Sequence, residues 1–553
     1  MAKTITWKLL GLFGLVSVLL IACGGGGAPG AVVPQATTLV KQVAKPGGNL
    51  RYGSSAAPTM LDPGIHSSAA TGLISDQLYD PLIWQPEPNK FVPGLAASWD
   101  VSPDSKVYTL HLRKDVKFHD GTPLNAAAVK FSLDRIVDPK TKSLQVAAIG
   151  PYDKSEVVDD YTVKITLKTA FPIFLNQLTS RALSPSSPTA VAKLGDKWPR
   201  FSVGTGPFRV KNWPDDNTLV LERNPDYTWG PSFLNHQGAA YVDTITYKLI
   251  ADASTRLIAL ESGEVDVIDA PPPEEVQRLK GEARFNVDSV VIGGLPQVLN
   301  INVSRPPTNE LVVRQAILYA VDRKAMASLI FFGALPAANG PFSSGSWAYW
   351  PGVEKMYLPD QAKAKKLLDD AGWVMNAKTG IREKNGKPLR VRHVTSTGYN
   401  SEKPATYVQA ALKEIGIDDV VEAMAYEASA KRYADNDFEI ARLGYTGFDP
   451  DGSIRVAFHS SQITQGGLFN RSHINDPKID ALIDQGAAET DAAKRKDIYQ
   501  QLQQIIMDQA LIIPVNEQVL YQVYFNKNVK DFKTSVPGQG SPYLGDIWLD
   551  KGS

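Results

Sequence analysis

Between Tyr108 and Ile505 the apolar residues keep switching between two spacings, and this alternation restricts the fold more than any other feature. Tyr108, Leu110 and Leu112 point one way while Thr109 and His111 point the other; Val163, Ile165 and Leu167 repeat the pattern. A period of two is that of a strand with one buried face. Between these two segments, Leu124 to Val137 reads as a helix, with Asn125 as N-cap and Val129, Leu133 and Ile136 on one face. Later segments are more helical. Val313, Ala316, Ile317 and Ala320 keep the i, i+3, i+4, i+7 spacing. So do Ala364, Leu367, Leu368 and Ala371, with Asp360 as N-cap and Gly372 placed to end the helix. Ile498, Leu502 and Ile505 mark another helix, and Asn385-Gly386 suggests a hairpin turn. Strands and helices interleaved throughout give an α/β or mixed α+β class. No internal repeat is found. The 553 residues are enough for three or four units at roughly 150 residues each.

Cys23 is the only cysteine, which excludes an internal disulfide and a multi-cysteine metal cluster. Its position is informative. Lys3 and Lys8 precede an apolar run from Leu9 to Ala22, shorter than the roughly 20 residues of a membrane span. The run ends Leu20-Ile21-Ala22-Cys23, like a bacterial lipobox, so residues 1–22 are expected to be a lipoprotein signal peptide. The Cys23 thiol would take the lipid, each buried CH₂ contributing about 0.8 kcal/mol to membrane binding. The Gly-rich stretch from Gly24 and its polar continuation make 23–46 a flexible tether. Gly25, Gly27 and Gly30 match GxGxxG, but no strand precedes them, so no dinucleotide site is assigned.

Lys+Arg and Asp+Glu both number 58, so the chain lacks the basic excess that nucleic acid binding requires. There is no HExxH, GxSxG or Walker loop; Gly380 to Gly386-Lys387 has the wrong spacing and runs into Pro388. The seven histidines are scattered, with no pair at metal-ligand spacing. No cofactor, metal site or catalytic residue is therefore assigned. A secreted hydrolase with hidden paired carboxylates remains the reading from another class, as does a lipoprotein receptor without transport. The 10 Trp and 20 Tyr mostly fill cores, but flat amphipathic rings also suit reversible contact with peptides or sugars.

A series of motifs carries a resemblance. It starts with Pro93-Gly94-Leu95-Ala96-Ala97-Ser98-Trp99 and runs through Tyr108–Arg113 to Val116-Lys117-Phe118-His119-Asp120-Gly121-Thr122-Pro123-Leu124. Gly204-Thr205-Gly206-Pro207-Phe208 precedes Leu221-Glu222-Arg223-Asn224-Pro225-Asp226-Tyr227. Leu260-Glu261-Ser262-Gly263-Glu264-Val265-Asp266, Val313-Arg314-Gln315-Ala316, Ala320-Val321-Asp322-Arg323 and Ala371-Gly372-Trp373 follow in order. From about residue 47 to the end, the chain resembles family 5 of the bacterial extracellular solute-binding proteins, the peptide and nickel binding family. These motifs are mostly structural: Asp120-Gly121-Thr122-Pro123 is a turn, Trp99 a core residue, and Gly204–Pro207 a link between strands.

The resemblance implies a two-lobed periplasmic-binding-protein type II fold with an extra inserted small domain. Lobe one maps to 47–77, 200–299 and 520–553, the inserted domain to 78–199 and lobe two to 300–519. Hinges are expected near Asn300 and Val519. Closure would select the ligand, since contacts from both lobes form together only when closed. The implied partners are a small ligand, the permease subunits and ATPase of an ABC importer, and the membrane through the lipid anchor. The implied location is extracytoplasmic and the implied state monomeric. A short peptide ranks first as ligand, then an oligosaccharide, then a nickel chelate.

Three segments are candidates for the ligand site. In His66–Thr71, where family members place a small polar loop, Ser67, Ser68 and Thr71 could donate hydrogen bonds; Ser68 or Thr71 could equally cap a helix. In Arg442–Asp451, the resemblance implies an acidic group for a peptide's α-ammonium, but the segment is short and Phe448 lies where an acidic stretch is expected. Asp449 or Asp451 could take that role, with Tyr445 beside them and Arg442 able to meet a carboxylate. In Pro341–Trp350, Phe342 and Trp347 could wall the pocket or pack the loop down. Asn300 and Asn302, near the expected crossing, complete the set.

Overall fold

The computed structural model describes residues 43–550 apart from 66–67, 88–89, 398–400, 448, 464–468 and 535–540. The leader, Cys23 and nearly all of the tether lie outside the described residues, as do Ser67 and Phe448.

The interleaved periods resolve into three main sheets. The largest has seven strands in the order Phe285–Val291, Val519–Phe525, Val267–Asp269, Asn49–Ser54, Thr244–Leu249, Thr218–Arg223, Phe208–Asp215. Asn49–Ser54 runs parallel to both its neighbours, and the outer pairs are antiparallel. A five-stranded sheet has the order Asp418–Met424, Arg390–Ser396, Ile440–Thr446, Gly294–Ile301, Ile512–Asn516. Its first three strands are parallel and the rest antiparallel. A four-stranded antiparallel sheet joins Ala96–Val101, Val107–Leu112, Thr162–Leu167 and Tyr152–Asp159. Each of the three has its own apolar core.

Local chemistry accounts for most elements. In Val107–Leu112 and Thr162–Leu167 every second side chain is buried, as the period of two predicts. The helix Ala126–Val137 begins where the Asn125 side chain accepts from the Ala128 amide. Gln361–Asp370 begins where Asp360 accepts from Lys363 and stops before Gly372, whose φ is +82°. Asn385 and Gly386, with φ of 53° and 74°, turn Arg382–Lys384 into Lys387–Pro388, the left-handed pair a two-residue hairpin needs. In Ala492–Asp508 the buried face is set by Tyr499, Leu502 and Ile506, while Ile498 and Ile505 pack at its margin. Trp99 is half-buried at the edge of its core and not inside it.

The Gly204–Pro207 motif is a close-approach site. A Cβ on Gly204 would sit 2.2 Å from the Leu78 carbonyl oxygen, so only glycine allows this segment to lie against the end of the helix Ala69–Leu78. Between the glycines, Thr205 donates to the buried Asp80 carboxylate at 2.9 Å.

The chain passes twice between the seven- and five-stranded sheets: after Val291, through Ile292 and Gly293, and after Asn516, through Glu517 and Gln518. The second crossing adjoins the expected position at Val519. The first falls earlier than Asn300, which is fully buried inside the strand Gly294–Ile301, where ladder hydrogen bonds on both sides leave no freedom to bend.

Candidate functional site between the two sheets

At the double crossing the two halves are tied by backbone. Ile292 donates to the Gln518 carbonyl at 2.9 Å, Gly447 to Gly293 at 3.2 Å, and Ser343 to Gly294 at 2.8 Å. Three strand ends of the five-stranded sheet, at Gly294, Thr446 and Asn516, therefore converge on this junction. Chain just past such ends is free of the ladder and is where binding groups collect.

Two residues beyond Gly447, Asp449 caps the helix Pro450–Phe458, and its Oδ1 accepts from the Asp451 amide at 2.9 Å. Arg495 grips the same carboxylate with both Nη atoms, at 2.7 and 2.8 Å. Asn176, on the short helix Phe174–Gln177 beside the four-stranded sheet, donates its Nδ2 to Oδ2 at 2.7 Å. Four donors fill the four lone-pair directions of a carboxylate, and Asp449 is only 8% exposed. Arg495 also donates to the Gly486 carbonyl and to the Tyr499 hydroxyl, and lies 5.3 Å from the Trp347 ring centroid. Burial works against its charge, but Asp449 outweighs that and holds its pKa above the ordinary guanidinium value. The Tyr499 phenol is pushed up by burial and then by Asp449. Asp451 pairs with Arg455 through Nε and Nη2, at 3.2 and 3.0 Å; burial raises its pKa against the pull of Arg455.

The aromatic segment divides. Trp347 is half-buried, edge-on to Tyr499 at 5.9 Å. Phe342 has 0% exposure and packs edge-on to the same ring at 5.6 Å. Its side chain belongs to the core, and of the residues that follow, up to Trp350, only Ser344 and Gly345 are exposed. Tyr445 is 37% exposed near the end of its strand, its phenol pKa raised by burial of the rest of the ring. Arg442, three residues earlier on the same strand, is half-buried, and its carbonyl accepts from Arg471. Burial lowers the Arg471 pKa to about 10, and its guanidinium lies 4.0 Å from the Tyr433 ring centroid.

The remaining expected residues are used elsewhere. Asn302 is fully buried; its Nδ2 donates to Asn436 Oδ1 and the Phe438 carbonyl, and its Oδ1 accepts from both Ser304 groups. Every polar atom of Asn302 thus holds the end of its own strand. Ser68 is the N-cap of Ala69–Leu78, accepting from the Thr71 amide at 3.0 Å, while the Thr71 hydroxyl donates to the Met60 carbonyl. Asp449, Phe342 and Trp347 are brought together on Arg495 and Tyr499; Ser68, Thr71 and Asn302 are not. Arg495 and Tyr499, four apart on one helical face, and Asn176 were missed. Their only sequence mark is helical phase, which says nothing of a partner across the molecule.

Among the described residues no group of three or more His, Cys, Asp or Glu is placed to hold a metal, and no helix is long and apolar enough to cross a membrane.

Residues 90–465 match the family model described as bacterial extracellular solute-binding proteins, family 5. The chain belongs to this family. Among curated relatives of this solute-binding protein, the glutathione-binding protein GsiB of Escherichia coli (strain K12) is 30% identical over 488 residues, covering 86% of this chain and 90% of the relative. Among solved structures, DppA of Helicobacter pylori in complex with the peptide STSA is 28% identical with a TM-score of 0.73, covering 92% of this chain and 99% of that one. NikA of Brucella suis with Fe(III)-EDTA is 26% identical with a TM-score of 0.79, over 91% and 100%. The fold is therefore the two-lobed type II periplasmic binding architecture, with the two crossings joining the lobes.

Proposed function

We propose that this solute-binding protein captures a short peptide between its two lobes and delivers it to the permease of an ABC importer, working as a monomer held at the membrane by lipid on Cys23. The observation that carries the reading is the match to glutathione-binding relatives along nine-tenths of their length. The peptide-bound DppA neighbour supports the same ligand class. Of the candidate groups, Tyr445 and Trp347 offer partly exposed rings at the junction. The Leu20-Ile21-Ala22-Cys23 run supports the anchor. Binding, and no turnover, is the expected activity.

The test is native mass spectrometry of residues 31–553 expressed in a cytosolic host, followed by release and fragmentation of whatever is bound. Peptide masses, with glutathione among the first compounds added back, are the expected result. A sugar or a metal chelate released in their place would overturn the peptide reading.

A further inference from the structure

Glu517 occupies the second crossing and differs from every other acid at the junction. It is 2% exposed. Its Oε1 accepts from the Ser344 amide at 3.1 Å, while its Oε2 is buried with no hydrogen-bond partner. Its backbone is fixed on both sides, the amide donating to the Pro336 carbonyl and the carbonyl accepting from Asn516 Nδ2. The carboxylate is thus held in place but left incomplete. Beside it, next to the Tyr349 ring, runs the segment Ser343, Ser344 and Gly345, where a Cβ on Gly345 would come within 2.2 Å of the Val291 carbonyl oxygen. Ser344 and Gly345 are exposed, so the loop over the carboxylate faces solvent. Asp449 and Asp451, by contrast, already hold Arg495 and Arg455.

A carboxylate withdrawn from water is costly unless a cation or several donors complete it. The complement of a free carboxylate oxygen is a group that only donates and carries positive charge; a guanidinium presents a two-pronged fork, whereas a single free oxygen suits the point charge of an ammonium. We infer that Glu517, not Asp449 or Asp451, is the carboxylate that takes the ammonium group of the ligand, at the floor of the junction where both lobes meet. This rests on the peptide reading above and deepens it: the ligand class is one with a free amino group. Burial holds the Glu517 pKa above the ordinary carboxylate value, with Ser343 and Ser344 pulling the other way. The titratable group that faces it is the Tyr349 phenol, which donates to Glu354 at 3.0 Å. An arriving ammonium favours the ionised form and so works against that upward shift.

The test uses a synthetic tripeptide library, half of it N-acetylated, together with reduced glutathione. Retained compounds are read by mass spectrometry for the wild type and for Glu517→Gln, which is isosteric and removes the charge. The wild type is expected to retain free-amine peptides about tenfold over their acetylated forms, and Glu517→Gln to lose that preference. A preference that survives in Glu517→Gln, or a wild type that never shows one, overturns the inference while leaving the peptide reading standing. A wild type that retains neither form overturns the peptide reading and the inference with it. Should Glu517→Gln not fold, Glu517→Ala is read against the same library and is expected to lose the preference for free-amine peptides; a preference retained there would overturn the assignment.

Discussion

Asp80 and Asp449 are both nearly sealed from water, yet they are completed in opposite ways. Asp80 lies beyond the helix Ala69–Leu78 and accepts only from neutral groups: Tyr227 Oη at 2.8 Å, Trp229 Nε1 at 3.0 Å and Thr205 Oγ1 at 2.9 Å. Burial raises its pKa, although these three donors pull it back. Asp449 is completed by a guanidinium, and there the raised group is Arg495. Neutral donors relieve a buried charge in part, whereas a bidentate cation relieves it and becomes dependent on it. The first arrangement fixes a fold; the second also makes two distant segments hostage to each other.

The largest way to break this contrast is Asp449→Ala. It leaves Arg495, 4% exposed, with no counter-charge and also strips the cap from Pro450–Phe458. The expected loss is about 3–5 kcal/mol by thermal unfolding, because removing one partner of a buried pair costs more than the pair contributes. Combining Asp449→Leu with Arg495→Met sharpens the point. The double variant is expected to recover most of that loss, the remainder being the cap, about 1 kcal/mol, and the bonds to Asn176, Gly486 and Tyr499. A double variant no better than the single one would mean that the pair is not what couples these segments.

Asp80→Asn comes next. The amide keeps one acceptor but turns donors toward donors, and the expected cost at neutral pH is about 1–3 kcal/mol. Its pH dependence has a definite sign. The folded pKa of Asp80 lies above the ordinary value of 3.8, so as pH rises the unfolded chain loses this proton first. The wild type therefore loses stability from this group between the unfolded and the folded pKa, and Asp80→Asn does not. The deficit of the variant should be greatest in acid and should narrow as pH rises through that window. Melting curves of both proteins across it check the sign; a deficit that widens would contradict it.

Much of the fold is legible in the sequence because its signals are local. Asn125, Asp360 and the Asn385-Gly386 pair each act within a few residues, and each does what its chemistry predicts. The site is less legible because its bonds are long-range. Asp449 meets Arg495 over a separation of 46 residues and Asn176 over 273, and no local pattern encodes either. Phe342 and Trp347 look alike as loop aromatics and both pack edge-on to Tyr499, yet the first is core and the second half-buried, a difference no local pattern encodes. The resemblance implies a hinge near Asn300, which puts Asn302 beside it; the crossing at Ile292-Gly293 leaves Asn302 just past the far end of the strand Gly294–Ile301.

The smallest effect separates local from long-range bonding most cleanly. Among the described residues the Ser68 side chain bonds only within its own first turn, to the Thr71 amide and hydroxyl, each at 3.0 Å. Ser68→Ala is expected to cost about 1 kcal/mol, the ordinary value of a lost N-cap. Ser68→Asp keeps an acceptor for the Thr71 amide and adds negative charge at the positive end of the helix, so it should hold the wild-type melting temperature. Unlike Asp449, this position has no distant partner to orphan, and the two substitutions should differ by the cap alone. Equal losses in Ala and Asp would mean that the hydroxyl matters through its donated bond to Thr71, which in turn donates to the Met60 carbonyl, and would move even this residue into the long-range class.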